Sequence, residues 1–144
     1  MALGSVDLVN PKVAIQKRAT STDPINNTFV IIRIVDYTIS YYSEQVQDDI
    51  LALPDTLAAR YVVLTRRMVA LGPNLGEPHT KAFGEGLFEL RLKGAEGIAR
   101  VFYCTLIGRR VVMLHSFVKK TNKTPPRELD IAQSRMKEIK HAKS

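Results

Sequence analysis

Cysteine occurs once, at Cys104, and tryptophan not at all. One thiol cannot build an internal disulfide framework or a multi-cysteine zinc site, so a reducing cytoplasm is the expected setting. Long apolar runs are missing too. No stretch approaches the ~20 residues that span a bilayer, and residues 1–28 mix Asp7, Lys12, Lys17, Arg18 and Asp23 where a secretory leader would be apolar. No membrane partner is expected. Acidic residues are scarce in one half only. From Met1 to Pro78 seven Lys/Arg face eight Asp/Glu, whereas from His79 to Ser144 fourteen face six. A basic half beside a neutral one suggests a polyanion-facing surface, although Lys137, Lys140 and Lys143 would also suit an ordinary solvated helix.

What is present suits one folded domain. The 144 residues are 45% hydrophobic and 24% charged, enough to bury a core. Residues 1–28 show no sustained period and read as a flexible N-terminal extension or leader, leaving 29–144 as the domain. Phe29 to Val35 is nearly continuous in apolar and β-branched residues and predicts a strand. Tyr42, Val46, Ile50 and Leu53 recur at helical spacing, and Pro54 ends that helix. Asp55 is the expected N-cap of a second, with Leu57, Tyr61, Leu64, Met68 and Leu71 on one stripe and Gly72-Pro73 as its stop. Residues 74–86 read as a Gly-rich loop.

Three short strands follow, at 87–92, 99–103 and 113–120, separated by turns around Gly94-Ala95-Glu96 and Ile107-Gly108-Arg109, which predicts antiparallel pairing. Thr124 is the expected N-cap of a last helix with Pro125 at its first position and Leu129, Ala132, Met136 and Ile139 as its stripe. The order β-α-α-β-β-β-α predicts an α+β domain: a small, mostly antiparallel sheet with a helical hairpin on one face, all helices to one side.

Alternation assigns the strand side chains to faces. Phe88, Leu90 and Leu92 form a core set, leaving Glu89 and Arg91 opposite. In the last strand Met113, His115, Phe117 and Lys119 share one parity, while Val112, Leu114, Ser116 and Val118 face the helices. Arg91, His115, Phe117 and Lys119 are therefore expected to face a ligand together. Arg100 and Tyr103 differ by three positions. Either a bulge brings them to one face or only one belongs to the site.

At these positions the chain resembles a known family. Residues 72–79 (Gly-Pro-Asn-Leu-Gly-Glu-Pro-His), 86–91 (Gly-Leu-Phe-Glu-Leu-Arg), 100–103 (Arg-Val-Phe-Tyr) and 117–125 (Phe-Val-Lys-Lys-Thr-Asn-Lys-Thr-Pro), with Leu53-Pro54 between the helices, are similar to the phage-derived, HigB-like branch of the RelE/ParE toxin superfamily. The likeness covers about Phe29 to Lys140; residues 1–27 depart from it. It implies the toxin of a type II toxin–antitoxin pair, acting on mRNA in the ribosomal A site. Cleavage would be a transesterification without metal or cofactor, the 2′-hydroxyl attacking its neighbouring phosphate. The implied partners are mRNA, the ribosome with its rRNA, and a small helix-turn-helix antitoxin; homo-oligomerisation is left open.

Such chemistry needs a base, an acid and cations for the phosphorane. Arg91 and Arg100 suit the phosphate, since a guanidinium grips two oxygens. His115, Lys119 and Tyr103 are the candidates for proton transfer. Phe117 would stack an unpaired base, and Lys81, Lys120 and Lys123 would contact RNA or rRNA, with His79 at the rim. Plainer readings accompany these: Arg91 paired with Glu89 or Glu85 at the surface, a structural His115, a core Tyr103 and a buried Cys104. Two other functions share the scaffold. A ParE-like toxin would inhibit DNA gyrase by binding, and an inactive relic would hold nucleic acid without cutting it.

Overall fold

The computed structural model describes residues 36–120 and 123–143; the extension expected at 1–28 and the strand expected at Phe29–Val35 lie outside the described residues. Eight elements are described: β1 (Thr38–Tyr41), α1 (Glu44–Leu51), α2 (Asp55–Leu71), β2 (Thr80–Gly84), β3 (Leu87–Gly94), β4 (Gly97–Leu106), β5 (Arg110–Lys119) and α3 (Pro126–Lys143). They form an α+β fold around a five-stranded sheet ordered β1-β5-β4-β3-β2. β2 to β5 pair antiparallel, and β1 lies parallel to β5 at one edge. Among the described residues no helix is long and apolar enough to cross a membrane.

Local chemistry explains the helices. Ser43 caps α1, its extended backbone letting the hydroxyl accept from Val46 N–H at 3.2 Å. α2 begins at Asp55, so Pro54 and not Asp55 holds the cap position, and no side chain of that residue serves the free N–H groups. The cap comes from elsewhere. Glu96, in the β3–β4 turn, accepts from Thr56 N–H at 3.2 Å and also from the Thr56 hydroxyl, which in turn accepts from Ala95 N–H at 3.0 Å. A carboxylate at a helix N-terminus is favoured by the helix dipole. α2 ends at Gly72, whose φ of 103° is open to glycine and strained for other residues.

Two apolar clusters lie on opposite faces of the sheet. Val46, Ile50 and Leu53 of the α1 region and Leu57, Tyr61, Leu64 and Met68 of α2 pack on Leu90, Leu92, Ala99, Val101, Tyr103, Val111 and Met113. Leu71 departs from the expected stripe and is 71% exposed; Val69 turns inward in its place. α3 covers the other face, where Ala132 and Met136 meet Leu87, Phe102, Cys104, Val112 and Leu114, with Leu129 and Ile139 beside them. The expectation that all helices lie to one side is therefore corrected: the hairpin has one face and α3 the other. α3 begins at Pro126, one residue later than expected. β2 corrects the loop expected at 74–86; its five residues alternate too briefly, with a bulge between Ala82 and Gly84, to show a period.

The turn-borne cap makes two predictions. A Cβ at Gly94 would collide with the Thr56 side chain, so Gly94→Ala should destabilise by about 1–3 kcal/mol in urea unfolding. Hydrogen bonding from Thr56 holds the Glu96 carboxyl below its usual range. Its stabilisation is present above the unfolded-state value and fades as pH falls through the folded one. Wild type should therefore exceed Glu96→Gln in melting temperature near neutrality, with the gap closing in acid; a pH-independent gap would disprove the carboxylate's role.

Candidate nucleic-acid-facing site

The strand register places most of the predicted residues on one face, the face shared with α3. Arg91 stands opposite Arg100, which stands opposite Phe117; Glu89 stands opposite Phe102, which stands opposite His115. Lys119 follows Phe117 at the same parity, and Lys81 joins from β2 opposite Glu89. The bulge that sequence alternation left open lies on β5, not β4. Phe102 pairs with His115 and Tyr103 with Met113, so Leu114 has no partner. Met113 thereby sits in the hairpin-side core while His115 sits on the α3 side, which corrects their assignment to one face.

Tyr103 is consequently separated from Arg100. It is buried in the hairpin-side core, stacks on Phe88 at 5.4 Å and donates its hydroxyl to the Pro73 carbonyl. Burial pushes its phenol well above the usual tyrosine range. It is a core residue there, with no access to the cations across the sheet.

At the centre of the cationic face is Glu89, 1% exposed. One oxygen lies 3.4 Å from Arg91 Nε and 3.5 Å from Arg100 Nε; the other accepts from the Thr124 hydroxyl at 2.7 Å. Thr124 thus spends its hydroxyl on the sheet, where sequence reasoning gave it to the helix cap. Arg91 also bridges to Glu77 at 2.8 Å, an exposed pair at the rim. Arg100 Nε is buried and ion-paired to Glu89 without a hydrogen bond among the described residues; Nη1 donates to the Ala99 carbonyl at 3.3 Å. Burial, offset in part by Glu89, lowers the Arg100 pKa, but an arginine stays charged throughout the working range. Lys119 is only 9% exposed. Burial first, then the charges of Arg100, Arg91 and Lys81, depress its pKa, with Glu89 opposing them. Arg91, Arg100, Lys119 and Lys81 therefore gather around Glu89, with Glu77 at the rim, leaving an excess of positive charge.

Aromatic rings line the same face. Phe117 stacks on His115 at 5.9 Å and on Phe102 at 6.0 Å, Phe83 meets Phe102 edge-on at 5.6 Å, and the Lys81 ammonium sits 5.3 Å from the Phe83 ring. His115 Nε2 is 2.5 Å from Glu128 Oε1 in the first turn of α3. The His79 carbonyl accepts from Arg91 N–H at 2.8 Å. Lys120 and Lys123 are exposed just beyond β5 and before α3. Cys104 is buried under α3, as expected, its thiol pushed up to about 11 by burial.

Two contributors were missed in the sequence. Glu89 was expected as a surface partner of Arg91; the pair is present, but the carboxylate is buried and shared with Arg100. Glu77 and Glu128 are distant in sequence from the groups they hold and carry no local signal.

A family model described as Phage derived protein Gp49-like (DUF891) matches residues 48–137, well over half of the chain. That segment carries Arg91, Arg100, His115, Phe117 and Lys119. No curated protein matches.

Removing the central carboxylate leaves buried cations without compensation. Glu89→Gln should cost about 3–5 kcal/mol, whereas Glu77→Gln, at the solvated rim, should cost under about 1 kcal/mol. Urea unfolding of both variants measures this; equal losses would refute Glu89 as the organising charge.

Proposed function

The chain belongs to the phage-derived Gp49-like family, a toxin-like family of toxin–antitoxin contexts in which an antitoxin is the implied partner, and on that premise we propose that it is a HigB-like, ribosome-dependent mRNA endoribonuclease. The supporting observation is the cluster on one sheet face: Arg91, Arg100 and Lys119 around buried Glu89, beside Phe117 and His115. A gyrase inhibitor that works by binding would need no depressed lysine or aromatic platform, although its scaffold is shared.

The chemistry follows from charge. Attack of a ribose 2′-oxygen on the adjacent phosphate builds a phosphorane with more negative charge than the diester. Arg91 and Arg100 neutralise that charge, and fixed cations in a partly dry site are worth more than the same cations in water. Glu89 holds both guanidiniums in place without matching the total positive charge. Lys119 takes the 2′-hydroxyl proton. A lysine can do so only in its neutral form, and burial among cations is the arrangement that populates that form. Phe117 stacks the base next to the cut, fixing the ribose for in-line attack. Lys81, Lys120 and Lys123 carry the RNA backbone and rRNA contacts. The cognate antitoxin is a helix-turn-helix protein in this reading, and the product ends are a 2′,3′-cyclic phosphate and a 5′-hydroxyl.

Lys119→Arg keeps the charge but cannot lose its proton in the working pH range, so cleavage should fall about 10²–10⁴-fold, as Lys119→Ala should. On the acid side the wild-type rate should rise with pH, because Lys119 must lose its proton to act as the base. Arg91→Ala should relieve growth arrest while the protein keeps its melting transition. The deciding measurement maps mRNA 5′ ends after brief induction, with and without active translation. New ends on translated messages alone support the proposal; DNA damage without new ends favours gyrase, and growth without arrest favours the inactive relic.

A further inference from the structure

The proposed reaction still needs a proton for its leaving group. From the structure we infer that Glu128 is the positioning residue for that step: its carboxylate holds His115 by Nε2, leaving Nδ1 as the nitrogen that hands a proton to the departing 5′-oxygen. This rests on the ribonuclease reading above and adds a residue to it.

Four observations carry it. First, Glu128 Oε1 lies 2.5 Å from His115 Nε2, and both side chains are largely withdrawn from water, 25% and 17% exposed. A contact this short between partly buried groups fixes the ring's rotation more firmly than a solvated pair would. Second, the Phe117 ring stacks on the imidazole at 5.9 Å and 24°, so the ring is held on its face as well as at its edge. Third, among the described residues this carboxylate is the one hydrogen-bonding partner the ring has. Nδ1 is thereby the nitrogen left for chemistry. Fourth, His115 and Lys119 share a face and flank Phe117, two residues to either side. At about 3.3 Å per residue that sets each about 7 Å from Phe117 along the strand. In-line displacement places the attacking and leaving oxygens on opposite sides of phosphorus. A proton acceptor at one end of a stacking ring and a donor at the other match that requirement.

The step balances without any outside reactant. Lys119 in its neutral form accepts the 2′-hydroxyl proton as the O2′–P bond forms. The P–O5′ bond breaks, and the Nδ1–H of doubly protonated His115 supplies the proton that makes the 5′-hydroxyl. The Nε2 proton stays on the ring, donated in a hydrogen bond to Glu128, so the carboxylate orients the imidazole and supports its charge without exchanging a proton with the substrate.

A leaving-group substitution separates this role from a merely structural one. The test substrate is an mRNA bearing sulfur in place of the bridging 5′-oxygen at a cut position already mapped with ordinary mRNA. A thiolate leaves with little need of a proton, so a general acid and its positioning residue become dispensable there. On ordinary ribosome-bound mRNA, His115→Ala should lose about 10²–10⁴-fold and Glu128→Ala about 10-fold or more. On the sulfur substrate both should return to within about threefold of wild type, while Arg100→Ala and Lys119→Ala stay impaired. The isosteric Glu128→Gln, which keeps an acceptor for the ring, should lie between wild type and Glu128→Ala and guards against misfolding of the truncated variant. Equal impairment of both Glu128 variants on both substrates overturns the inference, as does wild-type activity of Glu128→Ala on ordinary mRNA. Failure of the wild-type chain to cut either substrate instead overturns the ribonuclease reading itself.

Discussion

The buried carboxylate of Glu89 is the constraint on which the rest of this face depends. Arg91, Arg100 and Lys119 project from one side of a small sheet, two of them nearly buried. Cations so placed repel one another and resist leaving water. One anion among them lowers both costs and leaves a net positive charge. A surface carboxylate could not do this, because screening would reduce its effect to a fraction of a kcal/mol. Glu89 also binds Thr124, so the charge centre is tied to the segment that leads into α3. Sheet and helix are joined through a polar contact as well as through the apolar cluster of Ala132, Met136 and Leu114.

That joint explains how one face can serve two purposes. The hairpin side of the sheet is core from Leu90 to Met113. The α3 side is divided. Its Leu87–Cys104–Val112 end is sealed by α3, and its Arg91–Arg100–Phe117 end carries charge. The helix bridges the two halves with polar bonds as well as apolar packing: Glu128 to His115, Arg135 to the Leu114 carbonyl and Tyr42 to Glu138. α3 thus acts as the wall of the site, and the hydrophobic stripe that docks it also fixes where its first turn presents Glu128.

Legibility in the sequence followed the range of the determining interaction. The α2 stripe from Leu57 to Met68, the antiparallel hairpins and the α3 stripe were readable because period and turn chemistry are local. So was the sharing of a face by Arg91, Phe117 and Lys119. β2 was not, since five residues at a sheet edge owe their extension to β3 rather than to their own pattern. The cap of α2 was misassigned to Asp55 because its true source, Glu96, lies forty residues away. Glu77 and Glu128 escaped for the same reason. Thr124 was read as a cap because that is the local use of threonine before proline, and a tertiary partner outbid it.

The bulge at Leu114 shows how little is needed to turn a core strand into a site strand. Up to Met113, β5 alternates between two apolar clusters, with Val111 and Met113 toward the hairpin and Val112 toward α3. Without an extra residue, strict alternation would carry His115, Phe117 and Lys119 into the hairpin-side core, where an imidazole and an ammonium would meet Val101 and Tyr103 with nothing to solvate them. Inserting Leu114 keeps an apolar residue under α3 and moves the next three odd-numbered side chains to the open side. The same shift leaves Tyr103 paired with Met113 in the core. One unpaired residue therefore decides which of the candidate proton carriers share a surface with the arginines: His115 and Lys119 do, and Tyr103 does not.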